Sequence, residues 1–217
     1  MDPQGTSRRR AIAEGVIAYG VFAGIGLASR FVPALFVLFV AYGLLFPVAW
    51  AIVHRDWGSI GITRDRTRRA VAWGLGAGLL WAAYTAVLFG SDESPPHLAL
   101  QLLIAVPVWL LVMSPFQELF FRGWLQPRLQ YAIGPSVGLV ATAVLFVAWH
   151  FFPKLEGTPT STLPLDSTLG VASTLLLGVL LGYVQDRTGN VVAAWLAHAL
   201  GGVALVAVGS MTFLTYT

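Results

Sequence analysis

Long apolar stretches separated by short polar segments make up almost the whole chain from residue 11 onward. Several of these stretches run for about 20 residues, the length of an α-helix that crosses the roughly 30 Å hydrocarbon core of a bilayer. The pattern predicts an all-α, polytopic membrane helix bundle of about seven transmembrane helices. The predicted spans are residues 11–29, 31–53, 70–90, 98 to about 130, 136–152, 168–184 and 190–213.

Prolines and glycines inside these spans carry further expectations. Pro33 and Pro47 are predicted to kink the second span, which neighbouring helices can tolerate. Gly74, Gly76 and Gly78 are expected to let the third span approach another helix closely.

A polar tail precedes the first span. Residues 1–10 end in three arginines, and the following apolar run is long and contains Glu14, so we predict a retained span and not a cleaved signal peptide. The predicted organisation is a cytoplasmic tail at 1–10 and one membrane-embedded helical domain at 11–217. Within that domain, residues 98–213 form the core that carries the motifs described below.

The positions of the basic residues predict the orientation of the bundle. With the amino terminus in the cytoplasm, all of the 13 Lys and Arg residues except Arg30 and Lys154 lie on or toward the cytoplasmic side. The opposite orientation violates the positive-inside rule. The sequence therefore predicts a cytoplasmic amino terminus, an outside carboxyl terminus and a multi-pass protein of a prokaryotic plasma membrane.

Composition narrows the class of function. The chain is 57% hydrophobic and 11% charged, with a mean hydropathy of +0.75, whereas soluble domains are typically about 25% charged. The lipid bilayer is therefore its environment, and we read the basic pI as topological, with no nucleic-acid partner. Because the chain contains no cysteine, disulfides, thiolate metal sites and a cysteine nucleophile are excluded, and so are sortase-like transpeptidases.

Ionisable residues within the apolar stretches are the candidates for chemistry, because a charge in hydrocarbon costs several kcal/mol unless it is paired or hydrated. Glu118 and Arg122 lie four residues apart and hence on one helical face, close to Pro115. An ion pair that only stabilises a kinked helix is one interpretation. His150 and His198 also lie in apolar stretches, and each taken alone is explained by a neutral imidazole bonded to a carbonyl or hydroxyl group.

Chain geometry favours a meeting of these residues. Glu118 and His150 are equally far in sequence from the break at Gly134, so two antiparallel helices hold them at the same depth. His198 follows Asn190 by eight residues, and a tilt of its helix closes the remaining difference in height. We therefore expect Glu118, His150 and His198 to line one polar cavity.

The motifs resemble those of the CAAX-protease and bacteriocin-processing family of intramembrane peptidases, also described as Abi proteins. The family pattern has Glu-Glu-x-x-x-Arg, then Phe-x-x-x-His, then His-x-x-x-Asn on successive spans. Here the first motif reads Gln117, Glu118 and Arg122, with Gly123 after it; the second is Phe146 and His150; and the third is His198 and Gly202. Order and spacing agree over about 90 residues.

This resemblance implies endopeptidase cleavage of a peptide or protein substrate within or near the membrane. Glu118 and His150 would activate a water, His198 would donate to the oxyanion, and Arg122 would hold Glu118 in place. The family has also been described as metalloproteases, and in that version Glu118, His150 and His198 would bind a divalent metal such as zinc. Two positions depart from the pattern: Gln117 cannot act as a base, and Gly202 has no side chain.

Three other functions compete with proteolysis by this scheme. Residues 197–202 resemble the histidine-bearing helix of rhomboid serine proteases, but the chain lacks the required Gly-x-Ser-Gly loop. A non-catalytic membrane partner or immunity protein fits the two departures at positions 117 and 202. A proton-coupled transporter with the same three ionisable residues is the third alternative.

Overall fold

The computed structural model describes residues 7–64, 66–90, 95–152 and 167–213. These residues form seven apolar helices and no strand, which confirms the predicted all-α bundle. Outside the described residues lie 1–6 of the predicted tail, 91–94 between the predicted third and fourth spans, and 153–166, the segment that contains Lys154. The helices are α1 (Arg8–Ala28), α2 (Leu35–His54), α3 (Thr67–Phe89), α4 (Leu98–Ile133), α5 (Pro135–Trp149), α6 (Thr168–Thr188) and α7 (Val191–Ala207).

Helix length separates two groups. Helices α1, α2, α3, α4 and α6 are long and apolar enough to cross a membrane, whereas α5 and α7 are apolar but have only 15 and 17 residues. The lengths and the hydropathy are those of a multi-pass integral membrane protein. The orientation of its termini stays a prediction.

Local sequence signals explain where several helices begin and end. Ser7, Ser167 and Asn190 accept hydrogen bonds through their side chains from the first turns of α1, α6 and α7. Helix α6 ends at Gly189, whose φ of +62° suits a residue without Cβ. Asp186 therefore lies in the last turn of α6, which ends at Thr188 and not at residue 184 as predicted.

The two predicted proline kinks have different outcomes. Pro33 lies in the turn before α2 and does not kink that helix, so this prediction is wrong. Pro47 lies inside α2 as predicted and is buried.

Glycines allow α3 to lie against α7. A Cβ atom on Gly74 would approach the carbonyl oxygen of Ala193 to 2.7 Å, and one on Gly78 would approach Leu200 equally closely. Gly76 faces open space, with no atom within 4 Å of such a Cβ, so its predicted contact is wrong. Only two of the three glycines lie on the face that α7 covers.

A buried aromatic cluster joins α1, α2, α4 and α5. The ring of Phe22 stacks on that of Phe120 at 4.5 Å between centroids and meets Phe39 at 4.4 Å. Trp149 packs on Phe39 and Phe116 in the same cluster. This packing fixes one side of α4 along the stretch that contains Glu118.

The segment between α2 and α3 closes one end of the bundle. Ile60 is fully buried, and its carbonyl oxygen would lie 2.7 Å from a Cβ on Gly123, so only glycine allows this approach to α4. The side-chain amide of Asn190 donates to the carbonyl oxygen of Thr63 at 2.7 Å. At the same end, Glu14 of α1 pairs with Arg128 of α4 at 3.5 Å, which explains an acidic residue in the first span.

Candidate active site

Helix α4 departs from regular α-helical geometry on both sides of Glu118. Residues Trp109–Met113 and Leu119–Leu125 are π-helical, and each stretch lies just before a proline, Pro115 or Pro127. A proline lacks the N–H group that would continue the backbone ladder, so carbonyl groups one turn earlier need other donors. The indole N–H of Trp195 supplies one of them, donating to the carbonyl oxygen of Leu110 at 2.6 Å. Short π-helical turns are frequent at functional sites.

Glu118 is fully buried and lies at the centre of a polar cluster. Its Oε1 accepts a hydrogen bond from Arg122 Nη1 at 3.2 Å and lies 2.6 Å from Nδ1 of His198. Its second oxygen, Oε2, is buried and has no hydrogen-bond partner within the described part of the chain. With Glu118 ionised, both oxygens can only accept, so His198 Nδ1 carries the hydrogen of the shared bond.

Arg122 balances the charge of Glu118 from within the same helix. It is fully buried, its Nη2 donates to the backbone carbonyl of Gly178 on α6 at 3.1 Å, and its guanidinium lies 4.1 Å from the ring centroid of Phe146. A planar guanidinium can serve a carboxylate, a carbonyl and an aromatic face at once, which a lysine cannot. Arg122 thus fixes Glu118 relative to both α5 and α6.

His150 joins the same site through Phe146. The Phe146 ring lies 4.9 Å from the imidazole of His150 and 5.8 Å from that of His198, measured between centroids. Nδ1 of His150 lies 2.7 Å from the carbonyl oxygen of Phe146, and since a carbonyl oxygen only accepts, Nδ1 carries the hydrogen. Nε2 of a neutral His150 is therefore an acceptor. His150 is half-buried, in contrast to Glu118 and His198.

Gln117 is buried but bonds within its own helix. Its side-chain amide donates to the carbonyl oxygen of Met113 at 2.9 Å, and its Oε1 has no partner in the described residues. Of the predicted site residues, the structure brings Glu118, Arg122 and His198 into direct contact, and it places His150 on the shared Phe146 ring. Their catalytic roles stay predictions.

Two contacts of the cluster were not anticipated. Phe146 was recognised only as the first residue of a motif, although its position four residues before His150 puts both on one helical face. Trp109 was not singled out at all, yet its ring centroid lies 5.6 Å from that of His198. Trp109 and His198 are 89 positions apart in the sequence, so no local sequence pattern predicts their contact.

A polar face continues along α4 from the cluster toward Gly134. Arg122, Gln126 and Gln130 recur every four residues and meet α6. Gln126 Nε2 donates to the carbonyl of Gly182 at 3.1 Å and to Asp186 at 2.9 Å, and Gln130 donates to Asp186 at 2.8 Å. These bonds hold α4 against α6 in the stretch between Glu118 and Gly134.

The residues as placed do not fit a resident metal ion. A catalytic zinc ion needs about three convergent protein ligands. No group of three or more His, Cys, Asp or Glu side chains that could hold an ion occurs in residues 7–64, 66–90, 95–152 and 167–213. Glu118 Oε1 and His198 Nδ1 are bonded to each other, and His150 Nδ1 is bonded to Phe146. The metal-binding role predicted for Glu118, His150 and His198 stays a prediction.

Comparison with known proteins agrees with the motifs. Residues 99–203 match a family model described as type II CAAX prenyl endopeptidase Rce1-like. No curated protein and no solved structure matches the chain. The matched segment contains all the predicted site residues and supports an intramembrane endopeptidase, with a peptide substrate at a membrane. Over residues 99–203 the chain thus matches the Rce1-like CAAX prenyl endopeptidases, as the resemblance of its motifs to the CAAX-protease and bacteriocin-processing family predicts.

Proposed function

We propose that this protein hydrolyses peptide bonds at or in the membrane with a water activated by Glu118 and His150. The observation that carries the proposal is the asymmetry of the Glu118 carboxylate. Oε1 is held by Arg122 and His198, whereas Oε2 is buried without a partner in the described residues. A carboxylate that is held in place by one oxygen and can accept a proton from water on the other is what a general base requires.

The proton positions agree with this assignment. Glu118 Oε2 and His150 Nε2 are both acceptors, so a water between them can donate its two hydrogens and direct a lone pair at a carbonyl carbon. The water oxygen forms the new C–O bond while Glu118 takes one proton. When the tetrahedral intermediate collapses, the C–N bond breaks, and Glu118 returns that proton to the leaving nitrogen. The products are a carboxylic acid and an amine.

In this scheme His198 first positions Glu118. Its Nδ1–H is committed to Glu118 Oε1, so its Nε2 carries a hydrogen only when the imidazole is protonated. The oxyanion role implied by the family resemblance therefore requires an imidazolium at His198.

Two membrane-tethered probes test the proposal. One is a farnesylated peptide ending in Cys-aliphatic-aliphatic-X, and the other is an unprenylated peptide with a single transmembrane segment. The purified protein in lipid vesicles should cleave at least one of them, and Glu118→Gln should lower kcat by about 10²–10⁴-fold, the usual contribution of general-base catalysis. Gln117→Ala should cost much less. Loss of wild-type cleavage when a chelator is added would favour the metal version.

A second candidate function is that of a non-catalytic membrane partner or immunity protein. Gln117 cannot accept a proton at ordinary pH, and position 202 offers no donor side chain. Binding of either probe without any cleavage by the wild-type protein would support this alternative. A gain of cleavage in Gln117→Glu, with Glu118→Gln still active, would move the base to position 117.

A further inference from the structure

We propose that the indole N–H of Trp109 donates a hydrogen bond to the carbonyl oxygen of the scissile peptide bond. The inference rests on the proposed function and adds a catalytic residue to it. It follows from three features of Trp109: the space it fills, its unpartnered N–H group, and its position beside His198.

The indole of Trp109 occupies the space that a side chain at position 202 would need. A Cβ on Gly202 would collide with Cδ2, Cε2 and Cε3 of the Trp109 ring. Gly202 lies one helical turn after His198 on α7, so the two residues share a face. The absence of a side chain at 202 thus lets the indole lie against α7 next to His198.

The indole N–H is a buried donor with no acceptor. Trp109 is 6% exposed, and its Nε1 has no hydrogen-bond partner among the described residues. Burying a donor without an acceptor is unfavourable, and such groups in native proteins call for an explanation. Trp195 shows how a neighbouring indole is paired, because it donates to the carbonyl oxygen of Leu110 at 2.6 Å. An acceptor that arrives with the substrate would pair the Trp109 N–H group in the same way.

Trp124 and Trp149 also have buried, unpartnered indole nitrogens. Trp149 packs in the buried aromatic cluster, against Phe39 and Phe116, and its ring centroid lies 4.0 Å from that of His150. Trp124 packs against Trp50 and Arg128, toward the end of α4 at Gly134. Neither has a ring contact with His198, whereas the Trp109 centroid lies 5.6 Å from that imidazole.

The chemistry of hydrolysis needs such a donor. Negative charge develops on the carbonyl oxygen in the transition state, and a preorganised N–H group stabilises it. His198 can supply an N–H from Nε2 only as an imidazolium, since Nδ1 is bonded to Glu118. The indole of Trp109 is neutral and always carries its hydrogen, so its donation does not depend on protonation.

Trp109→Phe removes the N–H group and keeps an aromatic ring in place. Using whichever peptide probe the wild type cleaves, we expect kcat to fall by about 10²–10³-fold, the usual effect of losing one oxyanion donor, with KM changed far less. Trp124→Phe is the matched control, because it also removes a buried, unpartnered indole, and it should retain kcat within about twofold. A Trp109→Phe variant with wild-type kcat overturns the inference.

A second pair of variants separates donation from packing. Gly202→Asn should be inactive, since its side chain collides with the indole. Trp109→Ala should lose activity as well, and the double variant Trp109→Ala with Gly202→Asn should recover at least tenfold in kcat over Trp109→Ala, because an amide donor then occupies the emptied space. Absence of rescue in a double variant that unfolds at the wild-type temperature counts against donation.

The two proposals fail in different ways. Loss of cleavage in Glu118→Gln together with full kcat in Trp109→Phe refutes only the role of Trp109. Full cleavage by Glu118→Gln refutes the general base, and in that case a large kcat loss in Trp109→Phe still supports an oxyanion donor. A wild-type protein that cleaves neither probe overturns both.

Discussion

Glu118 and His198, eighty residues apart in the sequence, meet at 2.6 Å between a carboxylate oxygen and an imidazole nitrogen. The bond links α4 to α7 inside the bundle, where neither side chain is more than 5% exposed. A charge-assisted bond in such surroundings is short and roughly twice as strong as a neutral one. The pair therefore packs as one unit, and in the proposed mechanism it also works as one.

The first prediction concerns this unit. His198→Ala should lower kcat by at least tenfold, because Glu118 loses one of its two positioning donors. In the background of Glu118→Gln, the same change should have almost no further effect on kcat, since residues that act together are strongly non-additive. Kinetics of the two single variants and the double variant measure the coupling. Independent, multiplicative losses would show that His198 works apart from Glu118.

The second prediction concerns Arg122. Arg122→Ala leaves Glu118 buried without its counter-charge and should lower the free energy of unfolding by about 3–5 kcal/mol. Arg122→Lys keeps the charge but not the planar fork, so the bond to Gly178 should be lost and the destabilisation should be intermediate. Denaturant titration in mixed micelles measures both.

Arg10→Ala is the control for this comparison. Arg10 pairs with Glu14 at 2.9 Å, but its side chain is 67% exposed. Exposed pairs of this kind contribute at most about 1 kcal/mol. Equal destabilisation by Arg10→Ala and Arg122→Ala would mean that Glu118 does not depend on Arg122 for its charge balance.

The third prediction uses the glycines of α3. Gly74→Val should weaken the packing of α3 on α7 and cost about 1–3 kcal/mol, since the carbonyl of Ala193 blocks any Cβ at this position. Gly76→Val is the matched control in the same helix, because its Cβ meets no atom within 4 Å, and it should be tolerated. Thermal unfolding in one detergent compares the two. The reverse order would place α7 on the other face of α3.

The fourth prediction concerns topology. The chain has no cysteine, so a single introduced cysteine is the only residue that a thiol reagent labels. From the arginine distribution we expect Pro96→Cys to react with a membrane-impermeant maleimide on intact cells. Gly58→Cys, in the segment after α2, should react only after permeabilisation. Labelling of Gly58→Cys from outside would invert the orientation.

Hydropathy and short-range spacing were enough to predict the bundle and the central pair. The seven helices follow from apolar runs, and the contact of Glu118 with Arg122 follows from a separation of four residues in a helix. Both are local properties. The approach of His198 was predicted only by assuming that buried ionisable groups pair with one another.

The remaining features depend on tertiary packing. Which of Gly74 and Gly76 meets α7 is decided by the rotation of α3 about its axis, and a glycine pattern alone does not contain that rotation. The kink predicted at Pro33 was wrong because α2 begins two residues after this proline. The contact of Trp109 with Gly202 joins two different helices, α4 and α7. The spacing of residues along the chain does not predict such a contact.

The π-helical turns on either side of Glu118 have a consequence for the gene. A π turn holds about one residue more than an α turn, so its loss requires the removal of only a single codon. Such a deletion within 109–113 would return this turn to α-helical geometry and keep the segments on either side of it in register. If the deleted codon were that of Trp109, a neighbouring residue would face α7 in its place, while Glu118, Arg122 and His198 stayed together. A protein without this one codon would share the same acidic centre and differ in the residue beside His198.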